Sequence, residues 1–222
     1  MTWSRSAIEL GNQGIPATVL SQLGGAVETL PVKPHRPRTV ALVACGRGEG
    51  TSTCTIKLAL TLARRHARVL VIDANTHDPV LHVLSDVDQA NGLADLMHGS
   101  VKLDAAIKPT SVPDVFLLTS GTPSALSNNG VLLPTALREQ VMNHAAGYDF
   151  VLVDCPAVNV HQDAAALAAV CDGVILVVEG GRTLRQAAQT AKGLLQRANC
   201  NVLGVFMNRR KYYIPQYLYD RL

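Results

Sequence analysis

Six short apolar runs, each followed by a stretch with helical character, constrain the fold of this chain more than any other feature. They are residues 39–45 (TVALVAC), 68–73 (RVLVID), 115–119 (VFLLT), 149–154 (DFVLVD), 173–178 (GVILVV) and 201–207 (NVLGVFM). The runs are near-continuously apolar and do not alternate with polar residues. A strand that reads this way is buried on both faces, as in a parallel sheet covered by helices. Helical patterns fall at 52–65 (Ile56, Leu60 and Ala63 on one face), 92–97 with 105–107 continuing that region, and 134–146 (stripe Leu137, Val141, Ala145). Two more fall at 163–170 and at 183–198, the latter capped by Thr183 with Leu184, Ala187, Ala188, Ala191 and Leu194 facing inward. Strand–helix alternation predicts an α/β fold: a doubly wound, mainly parallel sheet with helices on both faces. At 222 residues and 48% hydrophobic, the chain has enough apolar material for one such domain. An open sheet of this kind binds its ligand at the carboxyl ends of the strands, so chemistry is sought in the loops after strands one, two, four and six.

The organisation around that core is simple. Residues 1–37 read as a peripheral segment, with a short helix at 17–23 stopped by Gly24-Gly25 and then a proline-rich basic linker, LPVKPHRPR. The sheet domain spans 38–208, and a tail with several tyrosines occupies 209–222. The net charge of +3 is a mild excess, which argues against a dedicated nucleic-acid binder. The basic residues gather at 33–38 and 209–211, as solvated patches or as surfaces for an acidic partner or an anionic membrane. No apolar run reaches about 18 residues, and the N-terminus lacks the apolar core of a signal peptide. A cytoplasmic protein is expected, and any membrane association must come through a partner or a surface patch. The five cysteines, without a CxxC pair, read as reduced core residues, and the seven histidines lack metal-ligand spacing.

The loop after the first strand, residues 45–53, reads C-G-R-G-E-G-T-S-T. Glycines at 46, 48 and 50 let the backbone curl so that its N–H groups point inward, and with the helix N-terminus they form an anion nest. Gly48, Glu49, Gly50, Thr51, Ser52 and Thr53 are therefore candidate phosphate-binding residues. The P-loop pattern ends in Gly-Lys-Ser/Thr. Here Gly50 is followed by Thr51, which offers a neutral hydrogen bond where the lysine would place a charge on the β- and γ-phosphates. Arg47 is the residue placed to compensate by folding over the loop, while Lys57, within the helix, is expected to point away.

Strand two ends at Asp73, where a carboxylate facing a phosphate loop suits Mg²⁺ binding through water or proton abstraction. Strand four ends at Asp154, the last residue of a Walker B-like F-V-L-V-D, with Ser52 as the hydroxyl ligand of the same ion. Asp73 and Asp154 are the candidate catalytic pair. Strand six ends at Asn208, placed to read a base edge.

Taken in order, these motifs resemble the bacterial tyrosine kinases of capsule and exopolysaccharide synthesis, relatives of the MinD/ParA ATPases. Residues 48–53 resemble that family's GEGKST. Residues 73–82 resemble its Walker A-prime segment, including Pro79 and His82. Further matches are Gly92-Leu93 through Leu96 and Gly99, residues 148–156, Asp163-Ala164, residues 172–178 and residues 204–208. The ending K-Y-Y-I-P-Q-Y-L-Y-D-R-L resembles the family's tyrosine cluster, making Tyr212, Tyr213, Tyr217 and Tyr219 candidate phospho-acceptors, or else packing residues.

The resemblance implies a P-loop NTPase fold of the SIMIBI type. It also implies ATP or ADP with Mg²⁺ as ligand, a membrane polysaccharide co-polymerase (Wzz-like) as partner, and self-association. The departures are equally specific. Thr51 stands for the lysine, Asn75 for the second Asp of D-A-D, and His77 and Asp78 for arginines; the N-terminal E-x-x-R-x-x-R element is absent before residue 38. They imply a degenerate kinase that regulates or scaffolds polysaccharide export, with weak or altered nucleotide binding. Two readings stay beside it: an active tyrosine autokinase drawing the missing charge from Arg47 or a partner, and a MinD/ParA-like ATPase. The second is disfavoured because those proteins also rely on lysines in this loop.

Overall fold

The computed structural model describes residues 15–122 and 132–209. Its centre is a seven-stranded sheet in the order β3-β4-β2-β5-β1-β6-β7. The strands are β1 (Arg38–Ala44), β2 (Val69–Asp73), β3 (Ile107–Pro109), β4 (Val115–Leu118), β5 (Phe150–Asp154), β6 (Gly173–Glu179) and β7 (Val202–Asn208). All pairings are parallel except that of β3 with β4. The six expected strands form, and β1, β2 and β5 are buried along nearly their whole length, as their unbroken apolar sequences require.

One face of the sheet carries α1 (Ala17–Glu28) and α2 (Thr51–Ala63). Val27, Leu58 and Leu62 close there over Val40, Leu42 and Leu152. The opposite face carries α4 (Leu93–His98), α6 (Pro134–Gln140), α7 (Ala164–Ala169) and α8 (Arg185–Arg197). Leu93, Leu137, Leu167 and Leu195 pack there against Val43, Ile72, Val153 and Leu176. Two short helices, α3 (Leu81–Ser85) and α5 (Leu103–Ala106), lie in the connections. The doubly wound mainly parallel α/β fold is thus the fold of this chain.

Several local expectations are corrected. The first helix does not stop at Gly24-Gly25 but runs on to Glu28, because Gly24 and Val27 are buried against α2. Arg65 Nη1 donates to both carboxylate oxygens of Glu28, at 2.8 Å each, and ties the end of α2 to α1. Tertiary packing here outweighs the low helix propensity of glycine. The sheet-facing stripe of α2 is Cys54, Leu58 and Leu62, while Ile56 and Ala63 are only half-buried. The helix is covered on two sides, by the sheet and by α1, so periodicity alone could not choose its buried edge.

Lys57 is buried within α2 at 3% exposure, and burial lowers its pKa. Of residues 105–107, Ala105 and Ala106 end the short helix α5 and Ile107 begins β3. The chain leaves α5 directly into β3, an edge strand whose outer position tolerates Pro109. Leu184 faces solvent rather than the core. All five cysteines are free, and burial pushes the Cys45 and Cys54 thiols up to about 12, which makes them packing residues rather than nucleophiles. No described helix is long and apolar enough to cross a membrane.

Candidate functional site

At the carboxyl edge of the sheet, the loop from β1 to α2 borders a cleft of about 280 Å³ lined by Arg47, Gly48, Gly50, Thr51, Ser52 and Thr53. The curl rests on glycines in the left-handed region, Gly48 at φ +76° and Gly50 at φ +88°. At Gly50 a side chain is doubly excluded, since a Cβ would lie 2.3 Å from Asn208 Nδ2. The first intrahelical hydrogen bond of α2 runs from Cys54 N to Gly50 O at 3.0 Å. The amides of Thr51, Ser52 and Thr53 precede it and are left to face an anion at a helix N-terminus.

Two residues predicted to touch ligand instead brace this loop from behind. Glu49 is buried, with Oε2 accepting from Cys45 N at 2.9 Å and Oε1 from the Thr183 hydroxyl at 2.6 Å. Thr183 is therefore not the cap of α8. Its Oγ also accepts from Glu179 N, so it ties the end of β6 to the loop, and the N-cap position falls to Leu184. Asn208, 6% exposed, donates from Nδ2 to Glu49 O at 2.8 Å and accepts Arg209 N on Oδ1 at 2.9 Å. Its amide holds the loop rather than presenting a free edge to a base. Thr183→Val is expected to cost about 1–3 kcal/mol, because it strands a buried oxygen of Glu49 at unchanged side-chain volume. Urea denaturation of the two proteins measures that loss, and equal midpoints would show that the hydroxyl braces nothing.

Beneath the loop lie the two carboxylates. Asp73 and Asp154 are register partners at the ends of the adjacent strands β2 and β5, and are 0% and 1% exposed. Asp73 Oδ2 accepts from Leu81 N at 3.2 Å, whereas Asp73 Oδ1 and both oxygens of Asp154 have no hydrogen-bond partner. Burial pushes the Asp73 carboxyl up to about 7, against the pull of backbone N–H groups at Leu81, Asn75 and Val80. Asp154 stands well above the usual carboxylate range, through burial first and the charge of Asp73 second, with the hydroxyls of Ser52 and Thr55 pulling the other way. Three buried carboxylate oxygens without a hydrogen-bond partner offer a donor set that a cation fits. Oxygen-only donors below a phosphate nest fit Mg²⁺, with Ser52 at the helix start as the further oxygen.

The cations differ from those expected. Arg47 is exposed and reaches His161, with Nη2 3.4 Å from Nε2. The arginine that folds onto the loop is Arg209, just past β7, whose Nη1 donates to Gly48 O at 3.0 Å and to Glu179 Oε2 at 3.3 Å. Arg182 joins the same carboxylate at 3.1 Å. The sequence placed Arg209 in a basic terminal patch, and nothing local signalled that it turns back, at φ +52°, over a loop 161 residues earlier.

Asn75 spends its side chain on the turn, donating from Nδ2 to Asp78 O at 3.0 Å. The histidines also need correction, because His77 and His161 are brought together with Asp163 at the cleft's rim. Ligand spacing along the chain could not show this, since the loop after β2 and the turn before α7 meet only in the fold. Tyr212, Tyr213, Tyr217 and Tyr219 lie outside the described residues.

Comparison with known proteins agrees with this geometry. The profile of a family described as an AAA domain matches residues 38–199. The tyrosine-protein kinase CpsD of Streptococcus agalactiae is 30% identical over 177 residues, covering 78% of this chain and 75% of that protein. The succinoglycan biosynthesis transport protein ExoP of Rhizobium meliloti strain 1021 is 29% identical over 174 residues, covering 78% of this chain and 22% of that longer protein. Among solved structures, the kinase domain of the Escherichia coli tyrosine kinase ETK aligns with a TM-score of 0.80 at 21% identity, covering 88% of this chain and 76% of that one. The septum site-determining protein MinD of Pyrococcus horikoshii, complexed with Mg-ADP, aligns with a TM-score of 0.66 at 26% identity, covering 77% and 70%.

Proposed function

Since the chain belongs to the AAA-domain family that includes the CpsD-type bacterial tyrosine-protein kinases, we propose that it is a degenerate member, regulating or scaffolding exopolysaccharide or capsule export with weakened nucleotide binding. One observation carries this reading. The first residue of α2, lining the phosphate cleft, is Thr51, while the carboxylate pair below it is intact. Such a cradle keeps its amides, its Ser52 hydroxyl and its metal-directed oxygens, but has lost the cation that meets the β- and γ-phosphates.

In this reading the loop amides and the start of α2 hold the phosphates of ATP or ADP. Ser52, Asp73 and Asp154 would hold Mg²⁺. When bound, that ion neutralises phosphate charge and the two aspartates together. Burial brings the Asp73 carboxyl to about 7, so near neutral pH it holds a proton only about half the time, and a bound cation would favour its ionised form. Arg209 lends positive charge to the loop, but Glu179 already draws on it, so the compensation is partial.

ExoP is by name a transport protein of succinoglycan biosynthesis, and its size relative to this chain supports a kinase-like module working beside a membrane partner. The partner we infer is a Wzz-like polysaccharide co-polymerase, with the chain peripheral to the inner membrane and held there by that partner. Self-association belongs to the same proposal, whereas use of the tail tyrosines as phospho-acceptors belongs to the alternative, an active autokinase.

Calorimetric titration of the purified chain with ATP·Mg²⁺ tests the reading, followed by mass spectrometry of the tail after incubation. The expected result is a dissociation constant weaker than about 10 µM, near −7 kcal/mol, with Tyr212, Tyr213, Tyr217 and Tyr219 unmodified. Tighter binding together with tail phosphate would identify an active autokinase and refute the degenerate assignment.

A further inference from the structure

We propose that His77, His161 and Asp163 form a binding site for a divalent transition-metal ion of the zinc or cobalt type, at the rim of the phosphate cleft. The ligand atoms that the three residues offer all lie within 4.8 Å of one another. His77 Nε2 is 3.4 Å from Asp163 Oδ2, and the two imidazoles stack with centroids 4.0 Å apart and planes 15° from parallel.

The backbone holds these side chains in place. His161 and Asp163 share one turn, in which His161 N donates to Ala157 O at 2.9 Å and Ala164 N donates to His161 O at 3.3 Å. His77 arrives from the loop after β2, whose turn is closed by Asn75 on Asp78. The His77 and Asp163 side chains are 23% and 12% exposed, sheltered yet reachable from solvent.

Chemistry selects the class of ion. Two neutral imidazole nitrogens and one carboxylate oxygen are a borderline-soft set that favours Zn²⁺, Co²⁺, Ni²⁺ or Cu²⁺ over Mg²⁺ and leaves a position open to solvent. The site is therefore distinct in kind from the oxygen-only pair Asp73 and Asp154. Donors around a tetrahedral ion at about 2.1 Å sit roughly 3.4 Å apart, so a pair within the 4.8 Å spread closes by at most roughly 1.4 Å, and one ring must leave the stack. The terminal torsion of histidine is broad and makes that swing inexpensive. Arg47 opposes the ion, because its guanidinium lies against His161 Nε2, but it is exposed and free to withdraw. His161 lines the same cleft as Thr51 and Ser52. A divalent ion there adds positive charge at the mouth of a cradle that lacks its lysine.

The proposal stands apart from the nucleotide reading and is tested without nucleotide. Titrating the metal-free protein with Co²⁺ is expected to give one equivalent of tight binding, with the strong visible band of low-coordinate cobalt, displaced by Zn²⁺. His77→Gln and His161→Gln are each expected to weaken binding at least about tenfold, since even outer-shell changes reach that scale. Arg47→Gln is expected to tighten it severalfold by removing a like charge, a change that a merely structural histidine cluster would not produce. Circular dichroism confirms that each variant is folded. Cobalt binding that survives both histidine substitutions, or that vanishes in Asp73→Asn while persisting in them, overturns the assignment.

Discussion

Asp154→Asn is expected to stabilise the metal-free protein at pH 8, by on the order of 1–4 kcal/mol, although it removes a residue at the heart of the site. The argument begins with burial. Two carboxyl groups on adjacent strands are almost wholly withdrawn from water, and three of their four oxygens have no hydrogen-bond partner. Ionising either one costs desolvation, and ionising both adds repulsion across neighbouring strands. The amide keeps the shape and removes the charge.

The sign of the pH dependence follows. In the folded state Asp73 titrates near 7 and Asp154 also stands above the usual range, whereas both ionise near 4 when the chain unfolds. Between about pH 4 and 7 the folded protein therefore binds more protons than the unfolded one, and stability falls as pH rises. Their contribution is fully present below about pH 4 and is lost through the folded titration. Urea denaturation without metal at pH 5 and pH 8 should show a marked loss for the parent protein and a shallower one for Asp154→Asn. Millimolar Mg²⁺ should restore the parent at pH 8 and leave the variant unmoved. A variant less stable than the parent at both pH values would mean that the pair is held by interactions other than a cation.

This pair also shows how far the sequence could be read. Both aspartates were legible as the polar ends of apolar strands, because that pattern is local and a parallel sheet delivers its strand ends to one edge. The loop was legible for the same reason, since glycine spacing between a strand and a helix states its own geometry. What holds the loop was not. Glu49 reads as a ligand-facing residue in its motif, yet it is spent on Cys45 N and on a hydroxyl 134 residues away. Asn208 and Arg209 close on the loop from the last strand, across 159 and 161 residues. Such contacts depend on β7 lying beside β6 and on the register that pairs Asn208 with Glu179, neither of which a linear pattern encodes. The stripe of α2 and the extent of α1 are hidden from the linear pattern for a related reason: two helices stacked on one face bury each other as well as the sheet.

The largest gain of function is expected from Thr51→Lys. The substitution restores the missing cation at the first residue of α2, on the wall of the cleft and above intact metal-directed oxygens. A charge-assisted contact to phosphate contributes about 1.5–3 kcal/mol, so ATP·Mg²⁺ binding should tighten roughly 10- to 150-fold. Two features set where in that range it falls. Arg209 lies on Gly48 O and would repel the new charge, although Glu179 screens it. Thr51 is only 9% exposed, so the lysine stem must run out along the loop towards solvent rather than inward. Calorimetry on the parent, Thr51→Lys and Thr51→Met separates charge from bulk, since methionine adds comparable length without a cation. Tightening by lysine alone is the expected outcome. Should lysine and methionine bind alike, the deficit at residue 51 is not what limits this site, and the degenerate reading loses its physical basis.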